Sequence, residues 1–326
     1  MNVRRLIPTA TLAGAVSLGL VALSACSSSD AADRTSGDKL AVTASFYPMQ
    51  FLAQQIGGDH VSVTTLTKPG VEPHDLELKP RQTAELGEAD VILYLKGIQP
   101  AVDKAIAQSG VGTVVDAAAL TTLEKHGTEV GHAHGGDDHA GEEHGGEGEA
   151  TTDGNDPHIW LDPVRYAEVA KGVGAALEKA DPDNSADYRK NTDTLVGRLG
   201  GLDTAFKQGL TDTATKTFIT THAAFGYLAE RYGLEQEAIA GIDPEAEPSP
   251  ARVRELETIA KQDKVTTVFF ETLASDKTAR TIAADSGLKT DVLDPLEGIT
   301  DKSKGDDYIE VMQSNLAALR KALGAK

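Results

Sequence analysis

The nine histidines of this 326-residue chain fall into two groups with different chemistry. Five of them, His126, His132, His134, His139 and His144, crowd into residues 124–156 beside ten carboxylates and dispersed glycine, with almost no apolar side chain. Such a stretch cannot bury a core and reads as a mobile loop, and a short histidine-rich tract is a metal-capturing composition. The other four are solitary. His60, in Gly57-Gly-Asp-His60, reads as a structural residue. His74 lies in Lys68-Pro-Gly-Val-Glu-Pro-His-Asp75, His158 follows Asp156-Pro157, and His222 closes the run Thr217-Phe-Ile-Thr-Thr221. Asp294, in Val292-Leu-Asp-Pro-Leu296, is another polar group set directly behind a strand pattern. Three imidazoles and one carboxylate combine neutral donors with an anion, a set suited to Zn²⁺, and four protein ligands close a tetrahedral shell. Closure argues against catalysis, which needs a position open to water. No His-Glu-x-x-His, Cys-x-x-Cys, Gly-x-Ser-x-Gly or phosphate-loop pattern points elsewhere.

The elements that must bring these residues together read as an α/β chain in two βα halves with mostly parallel sheets. From residue 39 onward, short β-branched runs alternate with helical patterns. Strands are expected at 39–46, 61–66, 91–95 and 112–116, with helices at 47–56, 81–88 and 99–108. A second series has strands at 216–221, 235–240, 265–270 and 288–293 and helices at 223–232, 250–262, 276–286 and 308–323. In open α/β sheets ligands bind beyond the carboxyl ends of the strands, where His74, His222 and Asp294 fall. Tyr188, Leu195, Leu199, Leu202, Phe206 and Leu210 recur at helical spacing after Pro182-Asp-Asn-Ser185, which predicts one long helix over 182–211 between a first lobe, 39–181, and a second, 212–326. Gly197, Gly200 and Gly201 are potential break points, each costing about 1 kcal/mol relative to Ala.

Composition bounds the rest. With 31 Lys+Arg against 50 Asp+Glu the formal net charge is −19, which repels phosphate backbones and sets nucleic-acid binding aside. Arg4 and Arg5 precede a short apolar run ending in Leu23-Ser-Ala-Cys26, which resembles a secretory signal, 1–25, closed by a bacterial lipobox. Cys26 is the single cysteine, so it is read as the lipidation site and no disulfide can staple the fold. Residues 26–38 then form a tether, leaving the protein outside the cell membrane on its lipid anchor.

The chain resembles the metal-binding solute receptors of zinc and manganese ABC importers, and within them the zinc-uptake binding lipoproteins. Val42-Thr-Ala-Ser-Phe-Tyr-Pro-Met49, Gly70-Val-Glu-Pro-His74, Asp156-Pro-His-Ile-Trp-Leu-Asp162, Thr221-His-Ala-Ala-Phe-Gly-Tyr227, Phe270-Glu-Thr-Leu273 and Leu293-Asp-Pro-Leu296 carry the likeness, in the family's order. The resemblance implies two lobes joined by a rigid helix, Zn(II) held between them as transported ligand, and delivery to a cognate permease by a monomeric, non-enzymatic receptor. On the family's pattern His74, His158 and His222 match the imidazole ligands and Asp294 the carboxylate, with Glu72 or a water the competing fourth ligand. Glu271 is read as a supporting hydrogen-bond partner, and Trp160 as a core aromatic. The alternatives are a manganese receptor or adhesin of the same family, which His222 disfavours because imidazole suits Zn²⁺ better than Mn²⁺, and a zinc hydrolase on the same ligands.

Overall fold

The computed structural model describes residues 39–127 and 154–326. Cys26 and the signal and tether read from residues 1–38 lie outside them, as do His132, His134, His139 and His144. The first half runs β1 (Leu40–Ala44), α1 (Tyr47–Gly57), β2 (Val61–Thr65), α2 (Pro80–Leu86), β3 (Val91–Tyr94), α3 (Pro100–Ser109) and β4 (Val114–Asp116). Two long helices follow, α4 (Pro163–Ala180) and α5 (Ser185–Gly209). The second half runs β5 (Thr217–Thr220), α6 (Gly226–Tyr232), β6 (Glu235–Ala238), α7 (Pro250–Gln262), β7 (Thr267–Phe270), α8 (Lys277–Ser286), β8 (Lys289–Val292) and α9 (Tyr308–Leu323).

Each half builds a four-stranded parallel sheet, and the two share one topology: β2-β1-β3-β4 and β6-β5-β7-β8. Parallel strands need crossovers, which the intervening helices supply, and burial on both faces, which the apolar runs Val91-Ile-Leu93 and Phe218-Ile219 provide. In both sheets the order reverses beside the first strand, so a crevice opens beyond the strands' carboxyl ends.

Helix α4 is absent from the sequence reading, although its boundary signals are present. Asp162 accepts the Val164 amide as an N-cap, Pro163 takes the first helical position, and Asp181-Pro182 stops the helix. The apolar stripe of α4 (Tyr166, Val169, Ala170, Val173, Leu177) packs on that of α5 (Tyr188, Leu195, Leu199, Leu202, Phe206) within one continuous core that also takes in residues of both halves. Helix α5 runs unbroken for 25 residues, about 38 Å at 1.5 Å per residue. Gly197, Gly200 and Gly201 sit on its open face, where an added Cβ would meet nothing within 4 Å. Arg198, on that helix, ties the halves together by donating to Gln55 on α1 at 2.8 Å and to Asp307, the N-cap of α9, at 2.9 Å. Among the described residues no helix is long and apolar enough to cross a membrane.

Candidate metal centre

Four segments place side chains at one point between the two sheets. His158 leaves Asp156-Pro157 and starts a single 3-10 turn, Ile159–Leu161, which leads into α4. Asp156 fixes it twice with one oxygen: Oδ1 accepts from the His158 amide at 2.9 Å and from Nδ1 at 2.7 Å. The Trp160 ring packs on the imidazole at a centroid distance of 5.1 Å, and its Nε1 donates to the Pro295 carbonyl at 2.7 Å. The core aromatic read from the sequence therefore also links the His158 segment to the loop after β8.

His222 lies in a bend between β5 and α6. The helix expected from Ala223 starts only at Gly226, and the Ala223 amide donates to the Gly241 carbonyl at 2.8 Å. Glu271, at the carboxyl end of β7, accepts from His222 Nδ1 at 2.6 Å and also from its amide and from Thr221 Oγ1. This is the supporting place expected of Glu271. His74, on the proline-stiffened loop after β2, is the most exposed of the three histidines at 11%.

The three rings converge on a carboxylate other than the expected one. Glu297 Oε1 lies 3.3 Å from His74 Nε2, 3.2 Å from His158 Nε2 and 3.1 Å from His222 Nε2. His74, His158, His222 and Glu297 each offer a ligand atom within 4.8 Å of the others, and Asp294 is not among them. Both Asp294 oxygens are committed to the loop after β8. Oδ1 accepts the Leu296 amide at 2.9 Å, and Oδ2 accepts from Ser303 Oγ at 2.8 Å and Thr272 Oγ1 at 3.3 Å. Asn315 on α9 grips the same residue's backbone through the Asp294 amide and carbonyl, at 2.9 and 2.7 Å. Asp294 thus builds the turn that carries Glu297 inward, with Leu296 between them at a left-handed φ of 58°. The sequence held this signal: an Asp before Pro commonly bonds its own backbone two residues on.

Glu72, the competing ligand, also stands outside the four. Its Oε2 accepts the Asp75 amide at 3.2 Å, and Oε1 is buried without a hydrogen-bond partner among the described residues. Burial pushes its carboxyl up to about 6, with His74 pulling it down and Glu297 pushing it further up. His126 lies apart, against Glu230, and His60 pairs with Asp187 at 2.9 Å.

The hydrogen bonds define what the centre can hold. A carboxylate only accepts, so Nδ1 of His158 and of His222 carries a proton, and in a neutral ring Nε2 is then a bare lone pair. Three Nε2 atoms around a carboxylate oxygen are stable only with positive charge among them, as protons on the rings or as a cation bound by all four groups. Burial opposes charge on His222, but the Glu271 and Glu297 carboxylates outweigh it and hold its pKa well above 6.5. His158 is raised too, with Asp156 and Glu297 overcoming its burial. Glu297 is held well below the usual carboxylate range by the three histidines, again against burial.

A model of the zinc-uptake complex component A, periplasmic family (ZnuA) matches residues 42–322. The high-affinity zinc uptake system protein ZnuA of Bacillus subtilis (strain 168) is 38% identical over 94% of this chain and 95% of its own length. The zinc-binding lipoprotein AdcA of Streptococcus pneumoniae is 36% identical over 93% of this chain, which spans only 59% of that longer protein. The crystal structure of the Zn(II)-bound ZnuA-like domain of the same species' AdcA superposes with a TM-score of 0.70 at 33% identity, covering 88% of this chain and 99% of that one. The match runs from β1 through α9 and includes all four converging residues, and the chain belongs to the ZnuA family of zinc-uptake components.

Proposed function

We propose that this protein is the extracytoplasmic receptor of an ABC importer, capturing Zn²⁺ between its two βα lobes and passing it to the permease. The convergence of three histidine Nε2 atoms on one Glu297 oxygen carries the reading, because three imidazoles and a carboxylate are a donor set that fits Zn²⁺. Asp156 and Glu271 orient the rings as the carboxylate partners of metal-bound histidines do. As cargo, Zn²⁺ takes the place of the ring protons that otherwise balance Glu297. Four protein donors leave no position for an attacking water, which favours a binding protein over a hydrolase. The match to relatives named for zinc, together with three imidazoles, favours zinc over manganese.

Zinc titration of the metal-stripped protein tests the ligand set. Glu297→Gln should lose more than the roughly 10- to 100-fold that removal of an outer-shell partner costs. Asp294→Asn, which keeps the turn's acceptor, should lose less than Glu297→Gln. The opposite ranking would return the ligand role to Asp294.

Within the same proposal, Cys26 carries the lipid that holds a monomeric receptor on the outer face of the membrane, with residues 26–38 as tether and permease as partner. Detergent phase partitioning checks the anchor. The native protein should enter the detergent phase and Cys26→Ser should stay in the aqueous one; equal partitioning would refute lipidation.

A further inference from the structure

The neck of the histidine-rich segment is seated on the second half of the molecule. Its two strands of chain meet where the Asp156 amide donates to the Glu124 carbonyl at 2.8 Å. Tyr227 on α6 clamps both: its hydroxyl accepts from the Glu124 amide and donates to the Asp156 carbonyl, each at 2.8 Å. His126 packs against α6 at a position only glycine permits, since a Cβ on Gly226 would fall 2.2 Å from that of His126. Gly127 meets Ala223, the neighbour of His222, in the same way at 2.3 Å.

This seating gathers a second set of donors. Glu124, His126 and Glu230 offer ligand atoms within 4.8 Å of one another, with His126 Nε2 already 3.1 Å from Glu230 Oε2. The Arg165 guanidinium binds Glu124 Oε1 and lies over the Tyr227 ring, which holds that carboxylate in place while leaving two anions against one fixed cation. The other face of the His126 ring system points the opposite way: Nδ1 lies 3.5 Å from Asp156 Oδ2. Both atoms are buried, and neither has a hydrogen-bond partner at shorter range among the described residues. A histidine that binds a cation through one nitrogen and faces a carboxylate with the other is the usual arrangement of a metal ligand. Asp156 already serves His158 in this way through its other oxygen.

We infer that Glu124, His126 and Glu230 form a second divalent-cation site on the neck, with Asp156 orienting a histidine in each of the two centres. One imidazole and two carboxylates suit Zn²⁺, and the inference rests on the zinc-receptor reading only for the identity of that cation. Ligand atoms of a tetrahedral zinc stand roughly 3.4 Å apart, so the closing movement falls to the carboxylates, of which Glu230 is half exposed. The central cluster is buried and this one faces solvent, so the neck site is the weaker and faster to exchange.

The test uses the full chain with His132, His134, His139 and His144 changed to Asn, which silences the remaining histidines of the segment, and Zn²⁺ as the probe in calorimetric titration. This background should take up one tight and one weaker equivalent. Adding Glu230→Gln, an exposed change that leaves the fold intact by circular dichroism, should weaken the second equivalent at least tenfold and leave the first unchanged. Adding His222→Ala instead should abolish the tight equivalent and keep the weaker one. Uptake of a single equivalent by the background, or a second equivalent insensitive to Glu230→Gln, would overturn the neck site. Absence of the tight equivalent in the background would instead count against the central receptor site, with the neck still judged by its response to Glu230→Gln.

Discussion

At the scale of residues, the central cluster trades protons for its cargo, and the sign of the pH dependence follows. Neighbouring carboxylates raise His158 and His222 above the ordinary 6.5 against their burial, so protons compete for these rings at a higher pH than for free histidine. Zinc binds the deprotonated rings, and its affinity must fall as pH falls, starting above pH 6.5. Competition titrations between about pH 8 and 5.5 should show this decline, with protons released as zinc binds. A flat affinity across that range would mean that the histidines are not the ligands. His74 and His222 were legible from their places after a strand and a proline-stiffened loop, and His158 from the Asp156-Pro157 that precedes it and from the family resemblance. The carboxylate was not. Asp294 and Glu297 lie three apart in one loop, and a strand-end rule favours the first, whereas the turn chemistry of Asp-Pro turns that side chain back on its own backbone. Glu297 reaches the cluster only because Leu296 adopts a left-handed conformation, which its residue type does not advertise.

At the scale of elements, the strands and most helices followed from alternation of β-branched runs with amphipathic segments, and the repeated strand order gives both halves a crevice in the same place. Helix α4, missing from the elements expected above, carries Gly172 and Gly174 in its interior, where propensity alone disfavours them. Packing explains them: a Cβ on Gly174 would fall 2.2 Å from Thr192 Oγ1 of α5, and one on Gly172 would fall 2.6 Å from Leu120. These glycines let neighbouring elements approach closely, whereas Gly197, Gly200 and Gly201 on α5 face open space and carry only the entropic cost of glycine in a helix. One residue type therefore has opposite effects on two paired helices. Gly200→Ala should stabilise the protein by about 0.5–1 kcal/mol, and Gly174→Ala should destabilise it by about 1–3 kcal/mol through overpacking. Urea unfolding midpoints check both. Stabilisation by Gly174→Ala would show that α4 and α5 do not pack as described.

At the scale of the whole molecule, the centre is a long-range construction. Its four residues come from the loop after β2, the entry to α4, the bend after β5 and the loop after β8, so no part of the chain holds the site alone. A continuous core through α1, α4, α5 and α9 fixes the halves about it, with Arg198 bridging α1 and α9 at the surface. The formal charge of −19 favours approach of a cation from any direction, an attraction that salt screens beyond roughly 10 Å, while the buried cluster supplies the selectivity. Crystals of the protein grown with one equivalent of zinc, measured on both sides of the zinc absorption edge, test the central claim most directly. The anomalous map should show its strongest peak about 2.0–2.2 Å from Nε2 of His74, His158 and His222 and from a Glu297 oxygen; a peak bound by Asp294 in place of Glu297, or one lying away from these histidines, would contradict it.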